Sequence, residues 1–244
     1  MLAKFAVKNF KCFNEKFLFD LSTAKNYTFN PVCVKNGIVN NAIVYGYNGI
    51  GKSNLGWAIF DIIEHLTDKT RIDFPYHNYI NAYCGEDVVE VDFEFNFDGD
   101  TVRYKYLKTD YRTIVAEWFW VNDNELIAID RRNGDSTFTC LLKGTELLNK
   151  VIPDNQLSVL KYVKNNSVLE DSRENVAFKR FFSFIENMLF FRSLEDRTYI
   201  GQEVKRNSFY IFDWVIEFKS PEPVPPEDKE IGLDFNEYKL EGEF

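Results

Sequence analysis

Residues 41–54 read NAIVYGYNGIGKSN, and the fold expected of the whole chain turns on this stretch. Gly46, Gly51, Lys52 and Ser53 satisfy G-x-x-x-x-G-K-[ST], the spacing of a loop that cradles nucleotide phosphates. Ahead of the loop, Ala42, Ile43, Val44 and Tyr45 form a short apolar run of the kind that predicts a buried parallel strand. Behind it, Leu55, Ala58, Ile59, Ile62, Ile63 and Leu66 recur at three- and four-residue spacing, with no proline and no glycine after Gly56. That spacing predicts a helix with one apolar stripe. Strand, glycine loop and helix in this order predict an α/β fold of the P-loop NTPase type.

The residue types suit the chemistry. Phosphate oxygens need several backbone N–H donors converging on them with no side chain in the way, and Gly46, Gly49 and Gly51 allow that approach. A helix beginning near Ser53 adds its unpaired N–H groups and the positive end of its dipole. Lys52 is expected to reach the β- and γ-phosphates and the Ser53 hydroxyl to be a ligand of Mg²⁺. An amide such as Asn48 inside the loop can act as a donor.

With 244 residues, 45% of them hydrophobic, the chain can build a sizeable core in one large or two small domains. No apolar run approaches the ~20 residues of a membrane span, and the start MLAKFAVKNFKCF lacks an uninterrupted signal core, so a cytoplasmic protein without a membrane partner is expected. Cys12, Cys33, Cys84 and Cys140 form no C-x-x-C pair and are expected to be buried free thiols. His65 and His77 are not spaced as metal ligands; His65, near a helix C-terminus, reads as a dipole partner or a surface residue. The net charge is −9, of which −5 lies from Lys219 onward, where three lysines face eight acids. DNA as a partner therefore has no support from overall charge.

Leu2 to Phe10 and Lys16 to Leu21 read as strands around a turn at Lys11 to Glu15, and a loop with Asn30, Pro31, Asn36 and Gly37 follows. Thr67 to Gly85 has no period and reads as a surface excursion. Val89, Val91, Phe93, Phe95 and Phe97 alternate with Glu90, Asp92, Glu94 and Asn96, the pattern of a half-buried antiparallel strand that turns at Asp98-Gly99. Val102 to Tyr106, Ile114 to Val121 and Leu126 to Ile129 continue the meander, whose alternate charges read as a solvated face. Thr145 to Lys164 reads as mostly helical with a break at Pro153. Glu174 to Phe191 reads as a stronger helix whose stripe of Phe178, Phe181, Phe182, Ile185, Met188 and Leu189 is either core or the base of a longer arm. Phe209 to Phe218 reads as a strand, and the acidic, proline-rich remainder as extended or disordered. The expected division is a nucleotide-binding core at 1–85, an antiparallel lobe at 86–142, a helical segment with a closing strand at 143–218, and a tail at 219–244.

Asn9-Phe10-Lys11-Cys12-Phe13 followed by Gly46-Tyr47-Asn48-Gly49-Ile50-Gly51-Lys52-Ser53-Asn54 resembles the N-terminal part of the ABC-type ATPases related to RecF and SMC, with their N-F-[KR]-x-F opening and G-x-N-G-x-G-K-[ST]-N loop. The meander resembles the antiparallel lobe of the AAA-type bacterial ATPases that include overcoming-lysogenisation-defect-like and abortive-infection proteins. The resemblance implies the N-terminal half of an ABC-ATPase head, with ATP and Mg²⁺ as cofactors. It places Tyr47, Asn48, Ile50 and Asn54 in the nucleotide loop and Asn48 at the γ-phosphate. Lys11 would lie near the adenosine or phosphates. Work in phage defence or DNA maintenance through ATP-dependent dimerisation would follow, with a second copy or a partner chain and a possible effector protein.

The chain also departs from that family. Hydrolysis there needs four apolar residues followed by Asp-Glu, and the nearest imitation is Tyr210-Ile211-Phe212-Asp213, with Trp214 in the place of the glutamate. Nothing resembles L-S-x-G; Gly201-Gln202 supplies no serine, and Gln156 is the carry-over for a γ-phosphate sensor. Catalytic residues thus stay unassigned, and the expectation is a chain that binds ATP without turning it over, its catalytic half missing, split off or degenerate. A P-loop kinase is the alternative, as is a GTPase, although no N-K-x-D occurs to read guanine. A regulator with a relic loop is a third reading.

Overall fold

Alternation at period two puts Val89, Val91, Phe93 and Phe95 on one side of their strand, where all four are buried, and Glu90, Asp92 and Glu94 on the other. The computed structural model describes residues 1–22, 31–67, 78–188, 190–191 and 199–200. In chain order these form β1 (Leu2–Lys8), β2 (Phe17–Asp20), a 3₁₀ turn at Pro31–Cys33, β3 (Val34–Lys35) and β4 (Ile38–Val39), then α1 (Lys52–Leu66). β5 (Val89–Phe97), β6 (Asp100–Lys108), β7 (Ile114–Val121), β8 (Asn124–Asp130) and β9 (Thr139–Cys140) follow, then α2 (Val159–Asn166), α3 (Arg173–Glu186) and the pair β10 (Phe190–Phe191) and β11 (Tyr199–Ile200). The chain divides into Met1–Gly201 and Gln202–Phe244, and the described residues lie in the first unit.

Seven strands stand in one sheet in the order β2-β1-β5-β6-β7-β8-β9, and every neighbouring pair is antiparallel. Two of its hairpins turn on residues that tolerate a left-handed backbone. Asp98 and Gly99, with φ of 54° and 94°, join β5 to β6, and Asn122 and Asp123, with φ of 48° and 64°, join β7 to β8. The Asn122 side chain accepts from the Thr101 N–H and donates to Asp100, both at 2.9 Å, which fixes the register of the second hairpin against the first. One face of the sheet carries Phe5, Phe93, Phe95, Tyr104 and Phe119, and α3 lays Phe178 and Phe181 onto it, with ring centroids 5.3 Å apart between Phe119 and each of them. The aromatic stripe of α3 is therefore core. The opposite face is laced by ion pairs, Lys4 with Glu94, Arg103 with Asp92 and Lys105 with Glu90.

This architecture corrects the expected α/β P-loop fold class: among the described residues there is no parallel strand leading into the glycine loop. Ala42 to Tyr45 form no strand, and Ile43 and Tyr45 are 90% and 89% exposed. An apolar run becomes a buried strand only where neighbouring strands take up its N–H and C=O groups. Here each sheet strand pairs through antiparallel neighbours, and β1 already fills the place beside β5.

Other expectations change as well. Within Thr145 to Lys164 only α2 is helical, because the Asn149 and Asp154 side chains accept from the N–H groups of Val151 and Gln156 two residues on and fold the segment into turns around Pro153. α3 ends at Glu186, short of the expected Phe191, and Phe190–Phe191 pairs with Tyr199–Ile200. The cysteines are free, but Cys12 is exposed and the other three are half-buried. The strand at Phe209 to Phe218 with Asp213, the dipeptide Gly201-Gln202 and the tail at 219–244 lie outside the described residues.

The solvated-face reading of the meander charges fails at two positions, Lys108 and Glu117, which are fully buried. Lys108 continues the inward phase of Val102, Tyr104 and Tyr106, and meets Asp61 of α1 at 2.8 Å, with neither side chain exposed to solvent. The hydroxyls of Tyr106 and Tyr79 donate to the same Asp61 oxygen at 2.8 and 3.0 Å. Asp61→Ala leaves the Lys108 charge buried without its carboxylate and is expected to cost about 3–5 kcal/mol in urea unfolding. Asp61→Leu combined with Lys108→Met is expected to cost less than Asp61→Ala. An equal or larger loss in the double variant would show that the pair does not act as a unit.

Candidate phosphate-binding loop

α1 begins without a side-chain cap. Its N-cap is Gly51, in a left-handed conformation with φ of 105°, and the first helical bond runs from the Leu55 N–H to the Gly51 carbonyl at 2.9 Å. Such an end presents unpaired N–H groups and the positive end of the helix dipole. The preceding loop is exposed from Gly46 to Ile50, with Asn48 and Gly49 at its turn. Lys52 curls back over this loop and donates to the carbonyls of Gly46 and Tyr47 at 2.7 and 2.8 Å. The ammonium is thereby held over the loop, close to the N-terminus of the helix. Ser53 is exposed on the first turn, where its hydroxyl is accessible to a metal ion.

A second turn supports the loop from below. Asn9 and Lys11, with φ of 61° and 48°, reverse the chain after β1, and the buried Asn9 amide donates to the carbonyls of Glu86 and Val88 at 2.6 and 2.9 Å. The Lys11 N–H donates to the Tyr79 carbonyl at 3.1 Å, and its carbonyl accepts from the Asn81 amide at 2.5 Å. Phe10 is fully buried, edge-on to Tyr79. Held in this way, Cys12 meets the glycine loop: the Asn54 amide lies 3.2 Å from its sulfur, and a Cβ added at Gly51 would overlap that sulfur. Gly51 is thus required twice, by its backbone angle and by its neighbour.

Of the residues expected at the site, the structure sets Gly46 to Asn54 in one loop and helix start, and brings Cys12, next to Lys11, against them. The Lys11 ammonium lies 5.7 Å from the centroid of the Phe10 ring, and partial burial lowers its pKa. Gln156 sits in the turn before α2, exposed, and makes no hydrogen bond to the loop. His65, read as a dipole partner or surface residue, is buried, with Nε2 2.9 Å from the Tyr104 hydroxyl and its ring edge-on to Tyr106, both on β6. Cys12 was missed as a partner of the loop. Its spacing from Gly51 carries no local signal, and only the left-handed preference of Asn9 hints at the turn that places it.

The donors fit a phosphate: one ammonium held over the loop, backbone N–H groups at a helix start, glycines that leave the approach open, and a hydroxyl beside them. Among the described residues no group of three or more His, Cys, Asp or Glu could hold a metal ion by itself, and no helix is long and apolar enough to cross a membrane. Comparison with protein-family models and with curated proteins finds no match.

Gly49 and Gly51 separate angle from contact. Gly49 has φ of 84° with open space around it, so Gly49→Ala is expected to cost only the backbone strain, about 1–3 kcal/mol. Gly51→Ala is expected to cost more, and Cys12→Ala in that background is expected to recover the excess. Chemical unfolding of the three variants checks this; equal costs at both glycines would show that the sulfur contact carries no weight.

Proposed function

We propose that the loop Gly46–Ser53 binds the phosphates of ATP together with Mg²⁺. The observation that carries this reading is the Lys52 ammonium held over the loop by the carbonyls of Gly46 and Tyr47, at the uncapped start of α1. Those two carbonyls belong to exposed residues that water can serve, so the ammonium can leave them for the β- and γ-phosphates at small cost. The N–H groups at the start of α1 meet the phosphate oxygens, Asn48 donates from the turn, and Ser53 holds the metal ion. Mg²⁺ supplies charge neutralisation between the phosphates. Lys11 lies on the side of the adenosine or phosphates.

The chain acts, in this proposal, as the ATP-binding portion of an assembly like those of RecF and SMC, in the cytoplasm, in phage defence or DNA maintenance. A second copy or a partner chain completes the site and an effector protein responds to it. The exposed apolar residues Ile43, Val44 and Tyr45 beside the loop support a covering partner. The isolated chain binds ATP without turning it over.

Thermal melting with ATP·Mg²⁺, ADP and GTP tests the reading. A ligand at 100 times its Kd adds about 2.7 kcal/mol, and an upward shift specific to adenine nucleotides is expected. Lys52→Ala is expected to abolish the shift with an unchanged circular dichroism spectrum, and Ser53→Ala to weaken the dependence on Mg²⁺ more than the nucleotide contact. No shift with any nucleotide would overturn the proposal, and phosphate release by the pure chain would overturn the part concerning turnover.

A further inference from the structure

Among the described residues no strand leads into the glycine loop, and the chain is exposed from Asn41 to Ile50. The loop is anchored at its other end. There Gly51 leads into α1, and its carbonyl accepts the first helical bond from the Leu55 N–H at 2.9 Å. Leu55 is buried, so the helix is tied to the core from its first turn.

Cys12 meets that end of the loop twice. Its sulfur accepts from the side-chain amide of Asn54, the third residue of α1, at 3.2 Å, and it stands where a Cβ on Gly51 would overlap it. Sulfur is a weak acceptor, so the bond to Asn54 would hold little by itself. Its effect comes from what stands behind the two partners.

On one side is a braced turn. Phe10 and Phe13 exchange backbone hydrogen bonds at 3.1 and 2.7 Å, and the Asn81 N–H donates to the Asn9 carbonyl at 3.1 Å. The Asn9 amide donates to Glu86 and Val88, and Phe10 is fully buried. On the other side is α1, held in the core by Ala58 and Ile62 and by the pair of Asp61 with Lys108. Two anchored parts of the chain thus touch at one sulfur. The contact falls on the residue that ends the loop and on the first turn of the helix, which carries Lys52 and Ser53.

We propose that Cys12 is a positioning residue for the nucleotide site. Through Gly51 and Asn54 it seats the first turn of α1, and with it the backbone N–H groups, Lys52 and Ser53, for the phosphates. Asn54 serves as the anchor of this contact and not as a phosphate ligand. The role rests on the reading of the loop as an ATP site.

Two measurements on the full chain test it. Cys12 is exposed, so its truncation leaves the core intact. Without nucleotide, hydrogen exchange of the Leu55 amide followed by NMR reads the seating, because that N–H donates to the Gly51 carbonyl. Cys12→Ala is expected to speed this exchange about fivefold, and Cys12→Ser, which keeps an acceptor for Asn54, to restore it. In calorimetric titration with ATP·Mg²⁺, Cys12→Ala and Asn54→Ala are each expected to bind about tenfold more weakly, and Cys12→Ser to recover the affinity. The double variant Cys12→Ala with Asn54→Ala is expected to bind no more weakly than the poorer single one; losses that multiply would overturn the anchor role of Asn54. Unchanged Leu55 exchange in Cys12→Ala would overturn the seating, and unchanged affinity would overturn its part in binding. A wild-type chain that shows the exchange contrast but binds no ATP would overturn the ATP reading, and this role with it, while the seating itself stands.

Discussion

A single carboxylate oxygen, Asp61 Oδ2, receives Lys108 from β6, Tyr106 from the same strand and Tyr79 from the segment before β5. Two opposite charges without solvent gain little net stability from each other, since the loss of hydration offsets their attraction. What they impose is position. Displacing α1 would disturb the packing of Ala58, Ile62 and Leu66, and a displaced Asp61 would in addition leave a buried ammonium without its partner. The orientation of α1, and with it the direction in which Gly51 and Lys52 face, follows from this constraint.

From that fixed helix the glycine loop extends outward, and its support comes from a turn far away in sequence. The five residues from Asn9 to Phe13 reverse the chain after β1 with two residues in the left-handed region, a strain offset by hydrogen bonds to Tyr79, Asn81, Glu86 and Val88. Cys12 then stands where a side chain on Gly51 would stand. The loop is thus built on an antiparallel sheet, with its geometry set by a helix start and a neighbouring turn. Converging N–H groups and an ammonium are local features, and they need no parallel strand beneath them to exist.

Much of the scaffold was legible from residue order because its signals are local. The β5 to β8 meander follows from alternation at period two and from turn residues that adopt a left-handed backbone, and α1 from three- and four-residue spacing. Where the reading failed, a local pattern had more than one outcome. Ala42 to Tyr45 has the composition of a buried strand but finds no neighbour to pair with among the described residues. Thr145 to Ser158 has helical spacing, yet Asn149 and Asp154 bond their own backbone first. Glu117 looked like a surface charge, although it shares the inward phase of Phe119 and Val121.

The sequence by itself determined the period of each strand, the turns between them, the helix after the loop, and the residue types of the loop, because these depend on neighbours within a few positions. Only the tertiary structure decided that the sheet is antiparallel throughout, that Cys12 lies against Gly51, that Asp61 meets Lys108, and that Tyr104 stands between His65 and Glu117 inside the core. Those outcomes depend on which distant segments share a burial site, and a buried polar group shows its purpose only once the partner that satisfies it is in place.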